Sequence, residues 1–376
     1  MTPRVSCFVV VLAAALPAVI WAGPINGYTQ TNLVSDIPGL AAVTDPNLVN
    51  PWGIASSAAS PFWISDNGSG KSTLYNSAGT PQALVVTIPG VGGNPGTPTE
   101  ALFNSTTNFN SDLFIFSTED GTIEGWRGAL GTTAETLFDS TSTSAVFKGL
   151  ATGTTASGTY LYAADFHNNQ IVVFPGTGAP ALAGTFTDPG LPAGYAPFNI
   201  QNLGGELFVT YAQQDAAKHD DVPGAGHGFV DVYDLNGNFV KRLITQGDLD
   251  SPWGLAIAPG TFGGAAGDLL VGNFGDGTID AYDVTTGVFA GTLANAGTSL
   301  VNDGLWGLKF GNGGNGGLTG SLYLTAGLNG EQDGLFARID AAPEPFTMPL
   351  LACGLLLVTM LPRKRQRNSL CQKTAP

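Results

Sequence analysis

A unit of about fifty residues recurs six times along this chain, and no other feature limits the possible folds as much. Its clearest copy runs Ser251-Pro-Trp-Gly-Leu-Ala-Ile-Ala, crosses a glycine-rich gap, and continues Asp268-Leu-Leu-Val-Gly-Asn-Phe-Gly-Asp-Gly-Thr-Ile-Asp-Ala-Tyr-Asp283. Short β-branched and aromatic runs broken by Gly, Asp and Asn read as strands joined by tight turns. The first strand of each copy begins near residue 51, 101, 147, 197, 252 or 305. A further apolar-polar run separates successive copies, as in Ala83–Ile88 and Val240–Ile244.

Four strands per unit make one blade of a β-propeller, so the expected fold is all-β with six four-stranded blades over residues 23–341. One such unit buries little surface alone, so the ring must fold as one cooperative body. The sixth copy lacks a fourth strand. The run Tyr28-Thr-Gln-Thr-Asn-Leu-Val34 has strand character and is expected to complete that blade, removing an open edge. Glycine in the Trp-Gly-Ile and Trp-Gly-Leu steps suits the innermost strand, where blades crowd the axis. The tryptophans beside these glycines are expected to fill space between blades.

Cysteine is confined to Cys7, Cys353 and Cys371, so the repeat body has no disulfide and depends on sheet packing. A metal there would need oxygen or imidazole ligands. The net charge is -15, and much of the basic charge lies in the ends, at Arg4 and after residue 362. A body this acidic repels nucleic acid and suits solubility or cation binding.

The two ends read as targeting segments. Residues 1–22 carry Arg4, an apolar run and Trp21-Ala-Gly, the pattern of a secretory signal peptide rather than a membrane anchor. Residues 342–376 contain Pro343-Glu344-Pro345, an apolar stretch of helix-spanning length, and the basic cluster Arg363-Lys364-Arg365. This tail resembles the PEP-CTERM sorting signal of Gram-negative bacteria. The resemblance implies a transmembrane helix before processing, exosortase as the processing partner, and an exported protein at the cell envelope or outside it. The extra segment Asn368–Pro376 departs from that pattern. Ala163-Ala-Asp-Phe-His-Asn-Asn-Gln-Ile-Val-Val-Phe174 resembles an NHL repeat, and the body resembles a family of bacterial secreted propellers, which implies the fold and no activity.

In a four-stranded blade, the loops leading into first strands and those between second and third strands share one face. There the sequence places Asn50, Asn199, Asp250 and Asp303 as candidate ligands for a hard divalent cation such as Ca²⁺. Asp66, Asp165, His167, Asn273 and Asn302 are candidate ligand-binding residues on the same face. Asp and Asn are also the ordinary residues of tight turns. The longest insertion, Gln213–Gly228, carries His219, Asp220, Asp221 and His227 and reads as a lid or a solvated loop. No residues are spaced as a nucleophile elbow, a phosphate loop or a zinc helix. Two functions follow: a noncatalytic surface propeller that binds polysaccharide or protein, or a divalent-metal-dependent, lactonase-like hydrolase at the channel mouth.

Overall fold

A computed structural model describes residues 23–342. The signal-peptide segment, the Pro343-Glu344-Pro345 motif, the apolar stretch and the cluster at Arg363, Lys364 and Arg365 lie outside the described residues. Among the described residues no helix is long and apolar enough to cross a membrane.

Among the described residues six sheets, antiparallel but for one short outer pair in the sixth, stand around one axis. Their innermost strands are Pro51–Ala55, Pro98–Phe103, Phe147–Thr155, Tyr195–Leu203, Pro252–Ile257 and Leu305–Phe310. Each touches the next, and the sixth touches the first, so the ring is closed. Closure comes from the predicted strand. Tyr28–Ser35 pairs antiparallel with Asp333–Ala341 as the fourth strand of the sixth blade, and the two-residue strand Val43–Thr44 pairs parallel along its outer side. Tyr28 fastens it further: its hydroxyl donates to the Phe262 carbonyl and accepts from Ala265 N–H, both at 2.9 Å.

The third blade departs from the four-strand expectation. It holds only Phe147–Thr155, Gly158–Asp165 and Gln170–Pro175. The following stretch, 176–194, is dense in proline and glycine, which cannot sustain a ladder. It pairs instead with the neighbouring blade's turn, where Gly184 N–H donates to Asn236 and Phe186 N–H to Gly237. Phe186 is buried against Tyr162 and Tyr233.

A register irregularity occurs near the start of the first strand in all six blades, at Pro51/Ile54, Pro98/Ala101, Phe147/Gly149, Pro197/Asn199, Pro252/Gly254 and Leu305/Leu308. A bulge re-aims the side chains beside it. Trp52, Phe198, Trp253 and Trp306 consequently meet in one buried cluster with Phe166 and Phe274. Trp52 stacks on Trp306 with centroids 3.5 Å apart, and Trp253 meets both edge-on. These tryptophans therefore plug the axis rather than fill space between blades. The glycines beside them allow this close approach. A Cβ on Gly307 would lie 2.5 Å from the Trp52 carbonyl oxygen.

Candidate functional site

The plug separates two cavities. The one on the face of the loops leading into first strands has a volume of about 380 Å³ and takes residues from every blade. Blade one gives Asn50, Trp52 and Asn67, and blade two Glu119. Blade three gives Lys148, and blade four His219, Asp220 and Asp221. Blades five and six give Phe274, Trp306 and Glu331.

Each polar group is placed by a local device. Asn50 sits at φ 47° just before its strand, a left-handed conformation that Asn tolerates. Glu119 lies in the turn between Phe114–Thr118 and Thr122–Trp126, and Glu331 in the corresponding turn of blade six. Lys148 stands where four other first strands place Trp or Phe, so its stem enters the plug and its ammonium emerges into the cavity.

The side chains form one hydrogen-bonded chain. Asn50 Nδ2 donates to Glu331 Oε1 at 3.2 Å and to Asn67 Oδ1 at 3.4 Å. Asn67 Nδ2 donates to Glu119 Oε2 at 2.8 Å. Lys148 Nζ donates to Glu119 Oε1 at 2.5 Å and to Asp220 Oδ1 at 3.4 Å, and lies 5.1 Å from the Trp52 ring centroid. His219 Nδ1 is 2.8 Å from Asp220 Oδ1. At the floor Trp306 Nε1 donates to Asn50 Oδ1. Among the described residues nothing accepts from the buried Trp52 indole N–H.

This environment drives the carboxyls apart. Burial raises Glu331 to about 7 and Asp221 to about 6. The His219 hydrogen bond, with Lys148, lowers Asp220 to about 2. The Asp220 hydrogen bond raises His219. Burial opposes the Lys148 charge, but Glu119, Asp220 and Asp221 outweigh it and hold the ammonium above its usual range.

Glu119, His219 and Asp220 can each offer one ligand atom, all within 4.8 Å of one another. Lys148 already presents an ammonium to two of the three. A divalent ion there would sit beside a buried positive charge, so the donor set fits a metal only if Lys148 moves aside.

Of the nine sequence-predicted site residues, Asn50 lines this cavity. Asn199 is buried on the axis, donates to the Trp253 carbonyl at 2.8 Å and accepts Ile200 N–H. Asp250 accepts Gly224 N–H at 2.7 Å, and Asp303 is exposed. Asn50, Asn199, Asp250 and Asp303 therefore do not line one cavity together. Asp66 accepts Thr73 N–H, and Asp165 accepts Val146 and Asn168 N–H, each closing a turn. Asn273 spans Asp250 N–H and Asp280, Asn302 pairs with Gln30, and His167 is half-buried beside Gln214. The insertion 213–228, open in sequence between lid and solvated loop, brings His219, Asp220 and Asp221 over the mouth. Lys148 was the signal to follow: a lysine where most of the other repeats carry an aromatic residue is an exception that packing alone does not require.

No protein-family model matches the chain. "Uncharacterized protein R648" of Acanthamoeba polyphaga mimivirus is 35% identical over 294 residues, covering 73% of this chain and 72% of that protein. "Uncharacterized protein L690" of the same virus is 32% identical over 295 residues, covering 73% and 77%. These relatives are viral, whereas the tail resembles a bacterial signal. Among solved structures, a streptogramin B lyase superposes with a TM-score of 0.49 at 12% identity over 84% of this chain and 98% of that one. An α-L-arabinanase from Penicillium chrysogenum superposes at 0.46 and 11%, over 83% and 98%.

Proposed function

Since the chain belongs to the family of mimivirus proteins R648 and L690, in which fold alone implies no chemistry, we propose that it is a metal-free binding propeller whose upper cavity takes a polyhydroxylated ligand such as the end of a polysaccharide. The carrying observation is the Trp52 indole N–H, buried at this cavity without an acceptor among the described residues. Carboxylates and amides surround it. A hydroxyl can accept from the indole and donate to a carboxylate at once, which neither a simple anion nor a simple cation can do. Lys148 supplies the internal positive charge that lets Glu119 and Asp220 approach without an ion.

The test is a glycan array followed by calorimetry on the best hit, repeated with Trp52→Phe. This variant keeps an aromatic ring but deletes the N–H together with the five-membered ring, so affinity should fall at least about tenfold, and the lost stacking on Trp306 should lower the melting temperature by a few degrees while the protein stays folded. Retention of no glycan, or unchanged affinity in the variant, defeats the reading.

A second reading has its own support. Glu331 near 7 and Asp220 near 2 share one cavity, a separation suited to an acid and a base, beside the Glu119, His219 and Asp220 donors. A metal-assisted ester or lactone hydrolase is then the alternative. Elemental analysis of purified protein, with lactone and ester turnover measured with and without chelator, distinguishes the two. We further infer export through the signal-like N-terminal segment, with exosortase processing near Pro343-Glu344-Pro345. An intact tail on protein recovered outside the inner membrane would contradict that processing.

A further inference from the structure

The second cavity opens at the opposite mouth, below the aromatic plug, and has a volume of about 560 Å³. Its walls are the C-terminal halves of all six first strands, mainly aliphatic: Ile54, Leu102, Leu150, Leu203, Leu255 and Leu308 are among them. Glycine lets neighbouring first strands close up around it, since a Cβ at Gly53, Gly149, Gly254 or Gly307 would lie 2.5 Å or less from an atom of the next strand. Gly53, Gly149, Gly254 and Gly307 put no side chain on the axis, whereas the equivalent positions in blades two and four are Glu100 and Asn199.

Those two side chains begin alike and end differently. Each accepts the N–H of the next residue, Glu100 Oε1 from Ala101 at 3.0 Å and Asn199 Oδ1 from Ile200 at 2.7 Å. Asn199 then donates its Nδ2 to the Trp253 carbonyl. Glu100 Oε2 makes no well-formed hydrogen bond among the described residues, although the Gln201 side chain approaches the carboxyl and Glu100 is only 4% exposed at the cavity wall. Lys309 also lines the cavity and makes no hydrogen bond or ion pair among the described residues. It is the other titratable group on this wall, and Gln201 lies near both.

We propose that this lower mouth is a second, independent binding site, for a small amphiphile with a carboxylate head seated on Glu100 and Lys309 and an apolar tail along the aliphatic strand wall. Burial raises the Glu100 carboxyl to about 8, so near neutral pH Oε2 can be an O–H donor rather than a negative charge. Burial lowers the Lys309 ammonium from its usual range, with Glu100 opposing that, and a bound carboxylate would favour the charged form, which supplies ammonium donors and the charge that complements an oxyanion. Two donors lining one cavity beside a largely aliphatic wall match an acid on a short alkyl chain. An alkylammonium would instead meet Lys309 head-on. Apolar walls with a few convergent polar groups and a perturbed titratable residue are the ordinary makeup of a small-molecule site.

The test is calorimetric titration of the purified full chain with octanoate, octanol and octylamine. Octanoate should bind at one site, more tightly than octanol, with octylamine weakest. Lys309→Met and Lys309→Gln should each weaken octanoate at least about tenfold. Glu100→Gln, which keeps a neutral donor, should hold it within a few-fold. Thermal melts establish that each variant is folded, and Lys309→Gln keeps a polar end should the Met variant fail. Octylamine binding as well as octanoate, octanoate binding unchanged by both Lys309 variants, or no saturable binding each overturns the proposal. Asn67→Ala, which changes the upper cavity without touching the plug, should leave octanoate binding unaltered.

Discussion

The two mouths of the channel are built by the same six strands, a few residues apart, yet one is charged and capped while the other is apolar and open. The upper mouth ends in turns and in the 213–228 insertion, so it carries carboxylates, amides and a histidine from every side. The lower mouth is formed by strand backbone and mainly aliphatic side chains, with Glu100, Lys309 and the neutral polar side chains of Ser56, Thr152, Gln201 and Asn202. Between them sits a repeated device, a bulge followed by an aromatic residue and a glycine. Where a blade obeys the repeat it contributes packing. Where it breaks the repeat, at Lys148, Glu100 and Asn199, it contributes a polar group on the axis. The scaffold is thus made by the rule and the chemistry by its exceptions.

The largest expected effect is at Lys148. Lys148→Met should keep most of the buried stem but leave Glu119 and Asp220 facing each other without their cation. Removing one partner of a buried pair costs about 3 kcal/mol, a drop of several degrees in melting temperature. Glu119→Gln added to it should recover part of the loss, and a double-mutant cycle measures how much. If the single variant melts like the parent, the upper mouth is not organised by its ammonium.

Next comes the plug that keeps the mouths apart. Gly307→Ala would press a methyl against the Trp52 carbonyl at 2.5 Å and should cost about 2 kcal/mol as overpacking. Gly260→Ala meets nothing within 4 Å and should change little by comparison. Equal melting of the two variants would mean that the axis is loosely packed.

The contrast also has a pH signature. Glu100 is raised to about 8 and Glu331 to about 7, both above the usual glutamate value. A carboxyl with a raised folded pKa binds its proton more tightly when folded. Its contribution is most favourable at low pH and is lost as pH rises from the unfolded value through the folded one. Stability should therefore decline between about pH 5 and pH 8. Glu100→Gln should flatten the upper part of that decline, gaining on the order of 1–2 kcal/mol at pH 8 and almost nothing at pH 5. Asp220, lowered to about 2, works in the opposite sense and matters only in acid. Denaturant midpoints at both pH values are the measurement.

Most of the architecture was legible because it is periodic. Six starts at near-equal spacing set the ring, and the strand character of Tyr28–Val34 set its closure. What was not legible is what periodicity does not encode. The third blade's missing strand follows from proline and glycine between 176 and 194, which a count of apolar runs passes over. The axial position of the tryptophans follows from a bulge, visible only as paired register. Glu119 and Glu331 resemble any other acidic turn residue until the turns of different blades are brought within reach of one another.

The smallest expected effect separates position on a face from membership in a site. Asn50 and Asp303 both lie just before an inner strand, Asn50 by one residue and Asp303 by two, so sequence alone gives them similar standing. In the fold, Asn50 is 5% exposed and links Glu331, Asn67 and Trp306, whereas Asp303 is exposed. Asp303→Ala should leave stability within about 0.5 kcal/mol and glycan affinity unchanged. Asn50→Ala should cut Glu331 and the Trp306 indole off from the rest of the chain and lower both. A loss of ligand or metal on Asp303→Ala would enlarge the site beyond the cavity and weaken the separation of the two mouths, because the rim as well as the channel would then carry binding.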